Sequence, residues 1–323
     1  MSGLSVQHII IGGGSGFIGS ALATRLRARG DRVTLISRMP GPDRITWDDL
    51  ERDGLPESDA VVNLAGQHIL QPGRLWTDAY RQEVVESRLR TTRGLVDAIN
   101  ASEVPPKVFI STAGKCFYGT RRDHGGDYPE LDESAEPMGL DFPAELVGQW
   151  ESAANHLETA RVRHVRVRIG VVLGKVDRGS FLGRLWRVGR SRGFLPIIRL
   201  PFCLGAGATL GTGRQPFPWI HIDDMTGILI HLIDTPEAHG RYNAVSPGIV
   251  SNEIFTHAFA RALHRPVAWR IPEWLIYGVV GRDRASILVE GQKVVPKRTI
   301  EAGYCFEYPT IDGAMEDLVE IMI

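Results

Sequence analysis

The stretch His8-Ile9-Ile10-Ile11-Gly12-Gly13-Gly14-Ser15-Gly16-Phe17-Ile18-Gly19 constrains this chain more than any other. Its apolar start reads as a buried strand, a glycine-rich turn follows, and Ser20 to Gly30 carries Leu22 and Leu26 one helical turn apart. Strand, glycine turn and helix in that order form the phosphate cradle of a dinucleotide-binding βαβ unit. Gly13 can make the tight turn, Gly16 lets the backbone approach a pyrophosphate, and Gly19 lets the helix pack close to the sheet. The helix N-terminus adds unpaired N–H groups and the positive end of its dipole. The spacing Gly13-x-x-Gly16-x-x-Gly19 departs from the commoner G-x-G-x-x-G. Its place between a strand and a helix, with a second strand at the expected distance, separates it from a flexible loop.

That second strand is Val33 to Ile36, and Ser37 and Arg38 stand at its end. A carboxylate there would accept from the 2′-hydroxyl of NAD. A guanidinium instead suits the 2′-phosphate of NADP through charge-assisted bonds, so NADP(H) is the expected cofactor. Solvation of a loop start is the other reading of Arg38. Ala60 to Gly66 reads as a third strand ending in a small-residue turn. Leu64, Ala65 and Gly66 then pass near the adenosine or pyrophosphate, because parallel sheets present cofactors at the carboxyl ends of their strands. Residues 76–101 read as a long helix with Glu83 and Arg88 near its start. Spacing alone leaves these two open between a solvated face and a cofactor contact.

Lys107 to Thr112 forms a fourth strand, ending in Ser111 and Thr112 ahead of the turn Ala113 to Gly119. A hydroxyl there either binds a substrate oxygen or caps the junction. Residues 120–140 read as a polar surface loop over a substrate cleft, and 143–160 as a further helix. Val165 to Leu173 reads as one strand, whose Val171 and Val172 would form an apolar floor for a nicotinamide ring.

A chain of 323 residues with 43% hydrophobic content has room for one large α/β domain or two smaller ones. Net charge is −1, so no global field attracts nucleic acid or an anionic membrane. Cys116, Cys203 and Cys305 are scattered and odd in number, which suggests no disulfide framework. No apolar run approaches transmembrane length. Little sequence precedes the first strand, so no targeting peptide is expected; a cytoplasmic location follows, with a mitochondrial one also compatible. Between Arg161 and Arg199 lie ten arginines and one lysine against one acid, Asp177. The readings are a pocket for an anionic substrate, a solvated face and, against the neutral whole, a nucleic-acid site. Pro218 to Asp224 reads as a short strand entering a helix from Met225 to Leu232, capped by Asp223 or Asp224. His221 lacks metal-spaced partners and reads as a structural histidine rather than a ligand; no metal site is expected. Residues 201–216 look loop-like, 241–245 like a strand, Asn252 to Leu263 like a helix begun by Ser251, and further helices fall near Trp274 to Val280 and from Asp312.

Taken together, Gly13-Gly14-Ser15-Gly16-Phe17-Ile18-Gly19, Asn63-Leu64-Ala65-Gly66, Ser111-Thr112-Ala113 and Trp219-Ile220-His221-Ile222-Asp223-Asp224 resemble the extended short-chain dehydrogenase/reductases. The likeness is closer to an atypical branch, the epimerase family proteins of short-chain dehydrogenase/reductase family 39U. It rests on Ser37-Arg38-x-Pro40-Gly41, Ile45-Thr46-Trp47, Trp150-Glu151-x-Ala153-Ala154, Gly170 to Gly174, Phe217 to His221 and Glu290 to Arg298. The resemblance spans nearly the whole chain and implies NADPH binding. It assigns cofactor contacts to the glycine loop, with Ser15, Phe17 and Ile18, and to Ser37, Arg38, Leu64, Ala65, Glu83, Arg88 and Val172. Ordinary members carry Tyr-x-x-x-Lys on the helix after the fourth strand, where the lysine lowers the pKa of the proton-exchanging tyrosine. Here that helix reads Ala144 to Glu151, and neither register, Leu146/Trp150 or Val147/Glu151, supplies the pair. Ser111, Thr112, Tyr118, Lys115 and Glu151 are the nearest replacements by position.

The expected fold is a doubly wound parallel (Rossmann) sheet with helices on both faces and a smaller C-terminal α+β domain. Residues 1–240 would form the NADP-binding part, with 175–218 contributing to the substrate side, and 241–323 a substrate-side domain. The expected function is NADP(H)-dependent oxidoreductase or epimerase-like chemistry on a small substrate, in a monomer or homodimer without nucleic-acid or membrane partners. The rival is a non-catalytic NADPH-binding sensor or scaffold.

Overall fold

The computed structural model describes residues 6–67, 69, 74, 76–119, 128–137, 141–175 and 193–319. Its strands are β1 His8–Gly12, β2 Arg32–Ser37, β3 Arg44–Thr46, β4 Ala60–Asn63, β5 Val108–Gly114, β6 Glu130–Leu131, β7 Arg163–Ile169, β8 Val171–Leu173, β9 Ala208–Leu210, β10 Trp219–His221, β11 Gly240–Ala244, β12 Trp269–Ile271 and β13 Lys293–Val294. The α-helices are α1 Phe17–Arg29, α2 Trp47–Asp53, α3 Asp78–Asn100, α4 Phe142–Ser152, α5 Leu195–Cys203, α6 Ile222–Asp234, α7 Asn252–Ala262, α8 Glu273–Val280, α9 Arg282–Val289, α10 Lys297–Glu301 and α11 Ile311–Leu318.

Seven parallel strands in the order β3-β2-β1-β4-β5-β7-β11 make the central sheet. Side chains alternate across it, as the strand period demands. Ile9 and Ile11 face a core shared with Leu22 and Leu26 of α1 and Met225, Leu229 and Leu232 of α6. Ile10 faces the opposite core, with Leu95, Val96 and Ile99 of α3, Leu50 of α2 and Phe109. Buried on both faces, the strands read as unbroken apolar runs, and the expected doubly wound sheet is the one observed. The chain reverses its direction of travel across the sheet between β1 and β4, the switch point at whose carboxyl ends open α/β sheets take their ligands. No helix among the described residues is long and apolar enough to cross a membrane.

Three expectations need correction. Residues 165–173 are not one strand. The chain breaks at Gly170, where an added Cβ would lie 2.8 Å from the Pro218 carbonyl oxygen and 2.9 Å from Val245. Past that crossing, β8 leaves the central sheet and pairs with β10 instead. Helix α4 stops at Ser152, and 153–161 is a series of turns that still buries Ala154 and Leu157. The region expected as loop at 201–216 contains the end of α5 and strand β9, which pairs with β12.

Strand β11 is the seventh strand of the main sheet, so a division that follows the sheet falls after Ala244 rather than at 240. The remaining chain does not stand apart. Asp224 of α6, fully buried, accepts from Tyr304 Oη at 2.9 Å and from the backbone of Glu307 and Tyr308. Asn243 donates to the Val295 carbonyl at 2.9 Å, and β13 pairs with β6. The segment thus packs against the start of α6, the end of β11 and β6.

Gly170→Ala should cost about 1–3 kcal/mol of stability, since neither the carbonyl nor Val245 can withdraw without moving a strand. Chemical denaturation checks this; an unchanged midpoint would show that the crossing is looser than described.

Candidate functional site

The glycine turn is held on two sides. The Gly13 N–H donates to the Ile36 carbonyl at the end of β2, and the Leu64 N–H donates to the Gly12 carbonyl. Gly13 has φ of +73°, and a Cβ there would lie 2.8 Å from the backbone N and Cα of Ala65. Asn63, fully buried, fixes the facing turn: its Oδ1 accepts from the Ala65 N–H at 3.1 Å and its Nδ2 donates to Thr92 at 3.0 Å. Gly16 is the N-cap of α1, exposed, with no capping side chain and no acid in the first turn. Such an end leaves backbone donors and a positive dipole uncompensated. Ser15 is exposed beside it, while Phe17 and Ile18 pack into the core under α5 and α7. Gly19 seats the helix on the glycine turn and not on the sheet: its Cβ would meet the Gly13 carbonyl oxygen at 2.6 Å and Gly14 Cα at 2.7 Å.

Next to this turn lies a buried positive charge. A Cβ on Gly66 would touch the Arg88 side chain at 3.2 Å. Arg88 is 8% exposed. One guanidinium nitrogen donates to the Val84 carbonyl at 3.0 Å, while its Nε has no partner. Its plane sits 4.9 Å from the centre of the Trp150 ring, whose Nε1 is also buried without a partner. No carboxylate pairs with it among the described residues, and burial pulls the guanidinium down to about 10. Glu83 does not serve as counter-ion. It makes an exposed two-pronged pair with Arg74 at 2.7 and 3.1 Å. At the end of β2, Ser37 donates to the Met39 carbonyl at 2.6 Å, and Arg38 is exposed. Val172 lies half-buried on β8, between the two cores.

Four of the five candidate replacements, Ser111, Thr112, Tyr118 and Glu151, are engaged in internal bonds. Ser111 bonds His164 Nε2 at 2.8 Å, and Thr112 donates to the Asn63 carbonyl at 2.7 Å. Tyr118, fully buried, donates to Asn243 Oδ1 at 2.8 Å, and burial pushes its phenol up. Glu151 grips Arg168 with both oxygens, at 2.7 and 3.1 Å, under the rings of Phe117 and Tyr118. That pair accounts for one arginine of the 161–199 stretch. Arg163 donates to the carbonyls of Leu232, Ile233 and Ala238 and so tethers the end of α6, and Arg166 donates to Asn155. Residues 176–192, and with them most of the expected arginine-lined pocket, lie outside the described residues, as do 120–127 and 138–140 of the expected cleft loop.

His221 is fully buried, and one of its ring nitrogens and carboxylate oxygens of Asp223 and Asp317 lie within 4.8 Å of one another. Its Nδ1 accepts from the Asp223 N–H, its Nε2 bonds Asp317 at 3.1 Å, and its ring stacks on Tyr308. It is also the N-cap of α6, the place expected of Asp223 or Asp224; Asp224 turns instead to the C-terminal segment. Three positions in this region were not foreseen from sequence. Glu133 accepts from the backbone of Asn243 and Arg298, Gln292 reaches Lys115, and Trp150 covers Arg88. Trp150 had a signal as a member of one register of the missing relay and Gln292 as part of the motif Glu290 to Arg298; Glu133 had none.

Comparison with known proteins follows the same outline. Residues 9–246 match the NAD dependent epimerase/dehydratase family, and residues 271–318 match a domain of unknown function, DUF1731. The epimerase family protein SDR39U1 of Bos taurus is 44% identical over 97% of this chain and 100% of its own length. The crystal structure of human epimerase family protein SDR39U1 (isoform 2) with NADPH superposes with a TM-score of 0.88 at 42% identity, covering 98% of this chain and all of that one. The nucleoside-diphosphate sugar epimerase from Corynebacterium glutamicum reaches 0.73 at 27% identity over 98% of this chain and 58% of its own.

Two stability measurements test the buried polar layout. Glu151→Ala strands Arg168 without a counter-charge and should cost about 3–5 kcal/mol in denaturation, far more than an exposed pair such as Arg74–Glu83. The His164 ring is held down to about 3 by burial and by Arg166, against an ordinary value of 6.5. The unfolded chain therefore takes up this proton first, and stability present above pH 6.5 is lost as pH falls toward 3. Between pH 7 and pH 5 wild type should lose roughly 2 kcal/mol more than His164→Gln; equal losses would place the acid sensitivity elsewhere.

Proposed function

The chain belongs to the NAD dependent epimerase/dehydratase family, and we propose that it is an NADP(H)-dependent oxidoreductase or epimerase-like enzyme acting on a small substrate. The observation that carries this reading is Arg88. A buried guanidinium without a carboxylate is costly. This one stands beside Gly66, one residue from Ala65, which touches the glycine turn. A bound anion at the turn would supply the missing charge.

The residues present fit NADP(H). The open N-terminus of α1 and the backbone of Ser15 to Gly19 would hold the pyrophosphate. Arg38 would take the 2′-phosphate and Ser37 its neighbouring ribose, with Leu64, Ala65 and Gly66 along the adenosine side. Arg88 would add charge from below, Glu83 a carboxylate at the rim, and Val172 an apolar surface for the nicotinamide. When bound, the cofactor supplies a hydride donor or acceptor. The protein's part is to bind and orient, and to manage a proton without Tyr-x-x-x-Lys. On α4, Leu146 and Val147 are buried apolar residues, Trp150 covers Arg88 and Glu151 is locked to Arg168.

Residues beyond Ala244, with part of 175–218, form the substrate side in this proposal. The engagement of Ser111, Thr112, Tyr118 and Glu151 in internal bonds favours the second reading, a non-catalytic NADPH-binding sensor. Turnover of NADPH with a metabolite supports the enzyme. Tight binding without turnover, and a protein partner whose affinity changes with cofactor, supports the sensor.

Calorimetric titration of wild type should show NADPH bound more tightly than NADH. Arg38→Ala should reduce that preference by about 10- to 100-fold, the worth of one or two charge-assisted bonds, while NADH binding stays unchanged. An unaltered preference would move the 2′-phosphate away from β2.

A further inference from the structure

We infer that Lys115 supplies the proton and the oxygen-binding charge that the missing Tyr-x-x-x-Lys would have supplied, for a substrate with a carbonyl or alcohol oxygen at its reacting carbon. We further infer that Gln292, from the C-terminal segment, positions it. The inference rests on the proposed NADP(H)-dependent chemistry.

Lys115 directly follows the last residue of β5, at the carboxyl end of the sheet, where open α/β folds take their ligands. Strand β5 lies next to β4, whose end meets the glycine turn. Its neighbour Gly114 lies against α4 where the relay helix would come closest: a Cβ there would be 3.5 Å from Val147 Cγ2, in the place of the tyrosine in one register. Lys115 is 7% exposed. Its Nζ donates to Gln292 Oε1 at 2.6 Å, and no carboxylate pairs with it among the described residues. The orientation of the Gln292 amide is set by its other end: Nε2 donates at 2.7 Å to the Gly119 carbonyl, which can only accept. Its Oε1 therefore faces the lysine, and a lysine nitrogen has three donor positions. One is taken, and the others are left for a ligand.

The other groups in this region are spent on one another. The Arg168 charge is matched by Glu151, the Tyr118 hydroxyl by Asn243, and both Glu133 oxygens by backbone N–H groups. Lys115 alone among these side chains is a buried cation facing only a neutral amide. Gln292 holds the nitrogen without quenching its charge, as an Asp or Glu would.

In the reductive direction an Nζ–H bond breaks and an O–H bond forms. The carbonyl π pair ends on oxygen as the carbon gains the hydride provided by NADPH. The neutral amine regains its proton from water. In the oxidative direction the amine accepts the alcohol proton.

Two experiments test this without a known substrate. The first is reductive methylation of the whole protein with formaldehyde and cyanoborohydride, mapped by peptide mass spectrometry. The chain has five lysines, so each is resolved. Lys115, although only 7% exposed, should be methylated, because the proposal requires a small carbonyl to reach its amine. Gln292→Met should speed its methylation about fivefold, the worth of one hydrogen bond, and leave Lys107 and Lys297 unchanged. The second is thermal melting of Lys115→Met made in a Gln292→Met background, so that no buried amide oxygen loses its donor. A residue kept for chemistry at the expense of stability gives a double variant that melts at or above the Gln292→Met parent, by about 2 °C or more if the side chain packs. A Lys115 still unmethylated when Lys107, Lys293 and Lys297 are complete overturns the proposal, as does a double variant that melts below its Gln292→Met parent. Neither readout uses the cofactor. A wild-type protein that fails to bind NADPH would sink the cofactor reading by itself and leave these results standing.

Discussion

The contact between the backbones of Gly13 and Ala65 is the constraint on which the rest of the site depends. Two strand ends, β1 and β4, meet there at the switch in strand order, and they meet so closely that no side chain fits between them. Helix α1 starts just beyond it, with no side chain capping its N-terminus. The contact also sets where the chain goes after β4. Asn63 pins Ala65, Gly66 follows, and the space beside Gly66 is filled by Arg88 from α3. A bulkier turn would push these pieces apart and dilute the positive potential they share.

Charge burial separates scaffold from site in this protein. Arg168 is fully buried and matched: Glu151 grips it with both oxygens and aromatic rings cover it. Arg163 is satisfied by three carbonyls at a helix end. These groups hold elements together. Arg88 and Lys115 are also buried, at 8% and 7% exposed, and face only neutral partners. A fold keeps such groups against their desolvation cost where something else is to bind. Arg88 stands on α3 beside Gly66, just past β4, and Lys115 stands just past β5, the strand next to β4.

Much of this was legible in the sequence because local rules and global fold agree there. The run from His8 to Gly19 names its own strand, turn and helix, and Ser37-Arg38 follows directly on the strand Val33 to Ile36. Other features turn on contacts distant in sequence. Gly170 breaks a strand only because Pro218 crosses it, and Ala154 and Leu157 keep helical spacing while sitting in turns. His221 takes the helix cap because Asp224 is drawn away by Tyr304, Glu307 and Tyr308, some eighty residues on. Ser111, Thr112, Tyr118 and Glu151 were reasonable candidates by position. Their engagement depends on His164, Asn63, Asn243 and Arg168, partners no spacing rule connects to them. Gln292 was readable only as part of a family motif; its bond to Lys115 spans 177 residues.

The most direct test of the cofactor cradle is the melting temperature of wild type and Arg88→Met, each with and without saturating NADP⁺. Wild type should be stabilised by the cofactor, since a ligand bound only by the folded state raises the melting temperature. Removal of an unmatched buried charge should leave the ligand-free variant as stable as wild type or more so, and abolish most of the shift with NADP⁺. A variant that loses stability without ligand yet keeps the full NADP⁺ shift would contradict the account, because Arg88 would then be part of the scaffold and not of the cradle.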